Sequence, residues 1–209
     1  MNQDTLDRRE HWQTVYRTRA ADAVSWFRPH LDVSLELLAR AGMHADSRVI
    51  DVGGGAATLV DDLLARGLRH VSVLDVSEQA LAIARDRLGP RSQQVTWYAG
   101  DLLRVHLPAA GFDLWHDRAV LHFLTDPADA ARYTAIAADA VTDGGHAVIA
   151  GFAPDGPEWC SGLPVVRRSP EEIAALMAPA FELVESRNER HVTPAGDTQS
   201  FAYALLRRR

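Results

Sequence analysis

The sequence predicts an α/β fold: a mostly parallel sheet with helices on both faces, closed by an antiparallel hairpin. Three observations carry this. From residue 48 onward, short apolar runs alternate with stretches of helical period, the pattern of repeated strand–helix–strand units. The first run, Val49 to Val52, ends on Gly53, Gly54 and Gly55, just before the next helical stretch. The last two runs, FELVESRNERHV and TQSFAYALLRR, are separated by Pro194, Ala195 and Gly196, which signal a hairpin and not a crossover.

The elements follow in order. In the N-terminal segment, 1–46, Leu6, Trp12, Val15 and Tyr16 suggest one helix, and Val33, Leu37, Leu38 and Ala41 a second. Between them, Trp26 and Phe27 precede Pro29, where a regular helix does not continue smoothly. Two aromatics in a short irregular segment serve either as a cover over a site or as a plug at the edge of the core. Strands are expected at 48–52, 70–75, 94–98, 112–116 and 145–151, with helices at 56–66, 77–88 and 127–141. Thr58 and Ser77 are placed to open the first two helices, and Pro127 suits the first turn of the third. A helix at 170–178 leads into the hairpin. The expected organisation is a helical lid over 1–46 and one globular binding domain over 47–209.

With 209 residues, 47% of them hydrophobic, the chain suits one domain with a substantial core. No apolar run approaches twenty residues, so no membrane span is expected. The first residues show no apolar signal region, which makes a cytoplasmic protein the simple expectation. Cys160 is the single cysteine, so neither an internal disulfide nor a cysteine-rich zinc site is predicted. A net charge of -6 and the lack of a basic groove disfavour a nucleic-acid partner. The chain has no lysine, which excludes Schiff-base chemistry and a P-loop. A monomer or homodimer is expected, with no membrane partner.

The glycine cluster points to a ligand. Gly53 and Gly55 lack a Cβ and permit unusual dihedrals and close approach. The helix that follows directs its N-terminal dipole end at whatever sits in the turn. About twenty residues later the run VSVLDV carries Asp75, an acid that can accept the hydroxyls of a ribose. Glycine turn and ribose acid, in this order, indicate an adenosine-containing cofactor. A dinucleotide fingerprint needs a further glycine at the position held by Thr58, so that pattern fails. Asp51, two residues before the first glycine, is placed to hold a cationic group. S-adenosylmethionine, with an ammonium, a sulfonium and no phosphate, suits both features.

Those residues carry a family resemblance. DVGGGAATL resembles the first motif of class I S-adenosylmethionine-dependent methyltransferases, and VLDVS, with Asp75, their ribose motif. Gly100 and Asp101 resemble the acid that contacts the adenine amino group. FDLWHDRAVLHFL and GGHAVIAGF resemble the fourth and fifth strands with their loops. Ala57 stands where many members carry a third glycine. The resemblance implies a Rossmann-like sheet of seven strands, with S-adenosylmethionine as cofactor and, as methyl acceptor, a small molecule bearing a thiol, another soft nucleophile or an amine. It implies cofactor contacts from Trp12, Trp26, Asp51, Gly53, Gly55, Asp75, Val76, Asp101, Leu102 and His116. A further likeness to thiopurine- and thiol-type enzymes implies an N-terminal lid with Trp12, Trp26 and Phe27.

Methyl transfer from a sulfonium is an in-line displacement that needs alignment and exclusion of water more than particular side chains. The polar cluster expected after the fourth strand, His116, Asp117 and Arg118, is the catalytic candidate. His116 reads as a general base or as a packing residue. Asp117 and Arg118 read as a site pair or as a structural ion pair. Phe27, His122, Phe152, Trp159 and Arg167 are the candidate acceptor contacts, the last two in the loop after the fifth strand. His116, Asp117 and His122 match no familiar ligand spacing, so no metal is expected. The rivals are a protein lysine methyltransferase, a nicotinamide-dependent reductase and a cofactor-binding protein without catalysis.

Overall fold

The computed structural model describes residues 3–209, with side chains described from residue 8 onward. The N-terminal segment forms α1 (Gln3–Thr18) and α2 (Asp32–Arg40). Leu6 falls among the side chains outside the described residues. There follow β1 (Arg48–Val52), α3 (Leu59–Ala65), β2 (His70–Asp75), α4 (Glu78–Leu88) and β3 (Val95–Ala99). Next come β4 (Phe112–Arg118), α5 (Pro127–Ala140) and β5 (Val141–Phe152). A two-stranded excursion, β6 (Trp159–Cys160) and β7 (Leu163–Pro164), precedes α6 (Pro170–Met177) and the hairpin of β8 (Phe181–Val192) and β9 (Thr198–Arg208).

The main sheet has seven strands in the order β3-β2-β1-β4-β5-β9-β8. The first five are parallel, and β9 joins β5 antiparallel. Central strands of such a sheet are covered on both faces, so their residues alternate between two cores. On one face Val49, Val71, Val73, Leu114 and Val148 pack with Leu37 and Leu38 of α2 and Leu63 of α3. On the other Ile50, Leu74, Trp115 and Ile149 pack with Tyr133 of α5 and Met177 of α6. The order reverses direction at β1, which lies between β2 and β4, and this switch point is where a crevice opens beyond the carboxyl ends of the strands. No helix among the described residues is long and apolar enough to cross a membrane.

Several boundaries differ from expectation. The helix expected at 56–66 starts at Leu59, because Ala57 N–H closes a tight turn on the Gly54 carbonyl (2.7 Å). Thr58 opens it at the N-cap position, but its side chain makes no cap; its hydroxyl donates to the Arg28 carbonyl of the N-terminal segment (2.9 Å). Ser77 does cap α4, accepting from Ala80 N–H, and Pro127 occupies the first turn of α5. The strand expected at 112–116 continues to Arg118, with consequences for the candidate catalytic cluster. β6 and β7 were not expected at all.

Candidate active site

The switch point holds a cavity of about 150 Å³ between the carboxyl ends of β1, β2 and β4 and the N-terminal segment. One end is built by the glycine turn. Gly53 and Gly55 adopt φ of 68° and 40°, in the left-handed region that favours glycine. A Cβ on Gly53 would collide with Val120, one on Gly54 with the Asp51 carboxylate, and one on Gly55 with that of Asp75. The bare turn lets both acids stand close to the backbone. The N–H groups of Gly53 and Gly54 both donate to the Leu74 carbonyl (2.7 and 3.2 Å), which ties the turn to the end of β2.

Two acids face that space. Asp75 is buried, and one carboxyl oxygen accepts from Ser77 N–H (2.7 Å). Burial pushes its pKa up to about 7, against the pull of that hydrogen bond, and the Asp51 charge adds to the rise. Asp101 accepts from Leu103 N–H with Oδ1 (3.0 Å), while its Oδ2 is buried with no partner. A buried acceptor without a donor is rare enough to need a reason, and here Asp101 lies on the cavity wall. Val76 and Leu102 supply apolar lining beside the two acids. Gly55 lies behind the wall, under Asp75.

The expected cluster of His116, Asp117 and Arg118 is divided by the strand itself. All three lie within β4, where successive side chains point to opposite faces. His116 and Arg118 line the cavity; Asp117 does not. Asp117 accepts from the Tyr133 hydroxyl (2.7 Å) and from the N–H groups of Val120 (2.7 Å) and Leu121 (3.0 Å), which braces β4 against α5. Its pKa is pushed up to about 6 by burial, held back by those donors. The Asp117–Arg118 ion pair entertained above is therefore not formed.

His116 is fully engaged. Its Nδ1 lies 2.7 Å from Asp51 Oδ1 and its Nε2 2.9 Å from Ser34 Oγ, with all three residues buried. Arg118 donates from Nε to the Tyr203 hydroxyl (2.9 Å) and from Nη1 to the Trp26 carbonyl (3.1 Å). Its guanidinium carbon stands 4.2 Å from the centre of the Phe201 ring.

The N-terminal segment roofs the cavity. Trp12 meets Trp26 and Phe123 edge-on at 5.7 and 5.2 Å between ring centres, and Tyr16 packs beside Trp26. Gln13 accepts from the Ser77 hydroxyl and Gln79 N–H, so α1 is tied to the start of α4 next to Asp75. The Ser25 carbonyl lies 2.6 Å from His191 Nε2, tying the other end to β8. Phe27 and Phe152 line the far end with Phe201 and Cys160, whose thiol burial pushes up to about 12.

Three candidate acceptor contacts do not reach the wall. Trp159 is 61% exposed at the start of β6. Arg167 pairs with Glu158 (2.9 Å) outside the cavity. His122 is buried behind the lining against Phe123 and Phe152, with neither ring nitrogen partnered. Burial, then the charges of Arg118 and Arg168, push its pKa down to about 3, so it is neutral. Conversely, Ser34, Tyr16, Phe123, Phe201 and Tyr203 were not anticipated. For Ser34 a signal existed: a serine at helical spacing with Leu37 and Leu38 lies on the buried face of α2 and must find a partner.

Fold and site define an α/β protein with a bare glycine turn and two buried acids, Asp51 and Asp75, at the sheet's switch point. Residues 49–145 match the family described as the methyltransferase domain. The ubiquinone biosynthesis O-methyltransferase of Aromatoleum aromaticum is 30% identical over 132 residues, which cover 61% of this chain and 55% of that protein. The chain spans about half the length of the curated relatives it matches. Among solved structures, the 1,6-didemethyltoxoflavin-N1-methyltransferase of Burkholderia thailandensis has a TM-score of 0.75 at 22% identity, covering 96% of this chain and 87% of that one. The N-methyltransferase NodS of Bradyrhizobium japonicum has a TM-score of 0.71 at 19% identity, covering 95% and 98%. The matched segment and the sheet order resemble those of class I S-adenosylmethionine-dependent methyltransferases.

Proposed function

We propose that the chain transfers the methyl group of S-adenosylmethionine to a small molecule enclosed in this cavity. The observation that carries the reading is the pairing of Asp75 with the unpartnered Asp101 Oδ2 on one wall, across a glycine turn that has no room for a Cβ. In this reading Asp75 accepts the ribose hydroxyls and Asp101 the adenine amino group. Asp51, oriented by His116, faces the ammonium. Trp12 and Trp26, on the 1–46 lid, cover the cofactor above the 47–209 domain. When bound, the cofactor supplies a methyl carbon made electrophilic by its sulfonium. The chain's own work is to align the acceptor and exclude water, which is where most of such a rate enhancement originates.

A small acceptor is favoured because the far end is walled by Phe27, Phe152 and Phe201 under a docked roof. A protein lysine acceptor requires an open, acidic channel there. A nicotinamide dinucleotide requires turn N–H groups for its phosphates, and those of Gly53 and Gly54 are engaged by Leu74. A cytoplasmic enzyme, monomeric or homodimeric, without nucleic-acid or membrane partners, accords with the net charge of -6. Calorimetry with S-adenosylhomocysteine and with a nicotinamide dinucleotide, followed by labelled-methyl transfer to thiols, phenols, amines and carboxylates, tests this. Binding of S-adenosylhomocysteine alone is expected. Tight binding of the dinucleotide, with none of S-adenosylhomocysteine, overturns the reading.

A further inference from the structure

We infer that the acceptor is a flat aromatic anion whose carboxylate, or an oxyanion of like shape, is held by Arg118. This rests on the methyltransferase reading and deepens it. Arg118 lines the cavity with a side chain only 6% exposed. Two of its nitrogens have partners, Nε on Tyr203 and Nη1 on the Trp26 carbonyl. The third, Nη2, is buried and has no hydrogen-bond acceptor. A guanidinium fixed at two corners and open at the third is a donor held in position for a planar anion.

The nearest carboxylate does not fill that corner. Glu189 Oε2 lies 3.8 Å from Nη2, beyond hydrogen-bonding distance, and accepts from the Tyr203 hydroxyl at 2.7 Å. Its other oxygen faces Arg28 at 3.4 Å. Two guanidiniums thus share one buried carboxylate, and Arg28 draws its remaining counter-charge from Asp32, which is largely exposed. Arg118 therefore has only a share of one carboxylate facing it, behind a roof where water screens charge poorly.

The rest of the wall suits the body of such a ligand. Phe201 lies against the guanidinium, and Trp26, Phe27 and Phe152 complete an aromatic lining. No free base stands there: both His116 nitrogens are engaged, and the Cys160 thiol is held protonated by burial. Where the bound oxyanion is itself the group methylated, no base is needed to release the nucleophile. A cationic amine would meet Arg118 unfavourably, which separates this class from lysine or amine acceptors.

The test is calorimetry on protein saturated with S-adenosylhomocysteine, using benzoate, benzamide and benzylamine as matched probes. Benzoate is expected to bind about tenfold or more tightly than benzamide, in the range of a hydrogen bond to a charged group, and benzylamine is expected not to bind. Arg118→Gln should abolish the preference for benzoate. Glu189→Gln should strengthen benzoate binding by freeing the guanidinium, which gives a reading of opposite sign if the arginine variant does not fold. Equal binding of benzoate and benzamide, or preference for benzylamine, overturns the inference. So does an Arg118→Gln protein that keeps the benzoate preference and loses S-adenosylhomocysteine affinity, since Arg118 would then serve the cofactor. Failure of S-adenosylhomocysteine to bind at all counts instead against the methyltransferase reading.

Discussion

His116 Nδ1 lies 2.7 Å from Asp51 Oδ1, and the two residues are direct neighbours across β4 and β1. Ser34 Oγ, 2.9 Å from Nε2 on the other side of the ring, extends the line into α2. The imidazole joins two strands and the N-terminal segment at the edge of the cavity. With both nitrogens engaged, its evident task is to hold the Asp51 carboxylate in one orientation.

The first prediction follows. His116→Asn should weaken S-adenosylhomocysteine binding while turnover at saturating cofactor keeps the pH profile of the parent protein. Ser34→Ala should lower stability by about 1–3 kcal/mol, the cost of leaving a buried ring nitrogen unpartnered. Denaturant unfolding and steady-state kinetics measure the two effects. A loss of about 10²–10⁴ in turnover with a missing pH limb would instead make His116 a general base.

The second concerns Asp75, whose carboxyl burial raises from the usual value of about 4 to about 7. Between those values the folded chain keeps a proton that the unfolded chain has released. The contribution of Asp75 to stability is therefore full at low pH and falls as pH rises toward 7. A ligand that donates hydroxyls to the ionised carboxylate binds that form, so S-adenosylhomocysteine affinity should rise from pH 6 to pH 8, with proton release. Calorimetry in buffers of different ionisation enthalpy measures both. Asp75→Asn should flatten the pH dependence; an unchanged slope would remove Asp75 from the site.

The third concerns the roof. Trp12, Trp26 and Phe123 interlock above the cavity, and the segment is held to the rest of the chain by side-chain and carbonyl hydrogen bonds at Gln13, Ser25, Trp26 and Arg28 and not by strand pairing. Such an element opens at low cost compared with the sheet. Hydrogen exchange over 8–31 should slow on addition of S-adenosylhomocysteine. Equal protection with and without ligand would make the segment a fixed part of the core.

Much of the fold was legible because it is written in local pattern. Val49 to Val52, His70 to Asp75 and the hairpin runs each declare a strand by their own residues and punctuation. The glycine-turn end of the cavity was legible for the same reason. Asp51, Gly53 and Asp75 sit at fixed offsets from strands β1 and β2, and Asp101 stands just past β3, so placing the strands places the acids. The lining of the far end was not. Trp159 and Arg167 were drawn from residue type and the place of their loop after the fifth strand, and neither says which way a loop side chain turns. The two extra residues of β4 undid the cluster, because the pleat sends Asp117 to one face and His116 with Arg118 to the other.

What the sequence by itself determined is the parallel sheet, its glycine turn, the acids that follow its strands and the hairpin that closes it. These depend on spacings of a few residues, where backbone geometry leaves little choice. What only the tertiary structure decided is the company those side chains keep. Ser34 reaches His116 across 82 residues, Arg118 reaches Tyr203 across 85 and the Trp26 carbonyl across 92. Such pairings arise when helices and a hairpin, each satisfied locally, pack on opposite faces and edges of one sheet, and the buried polar groups then take the partners that packing brings within reach.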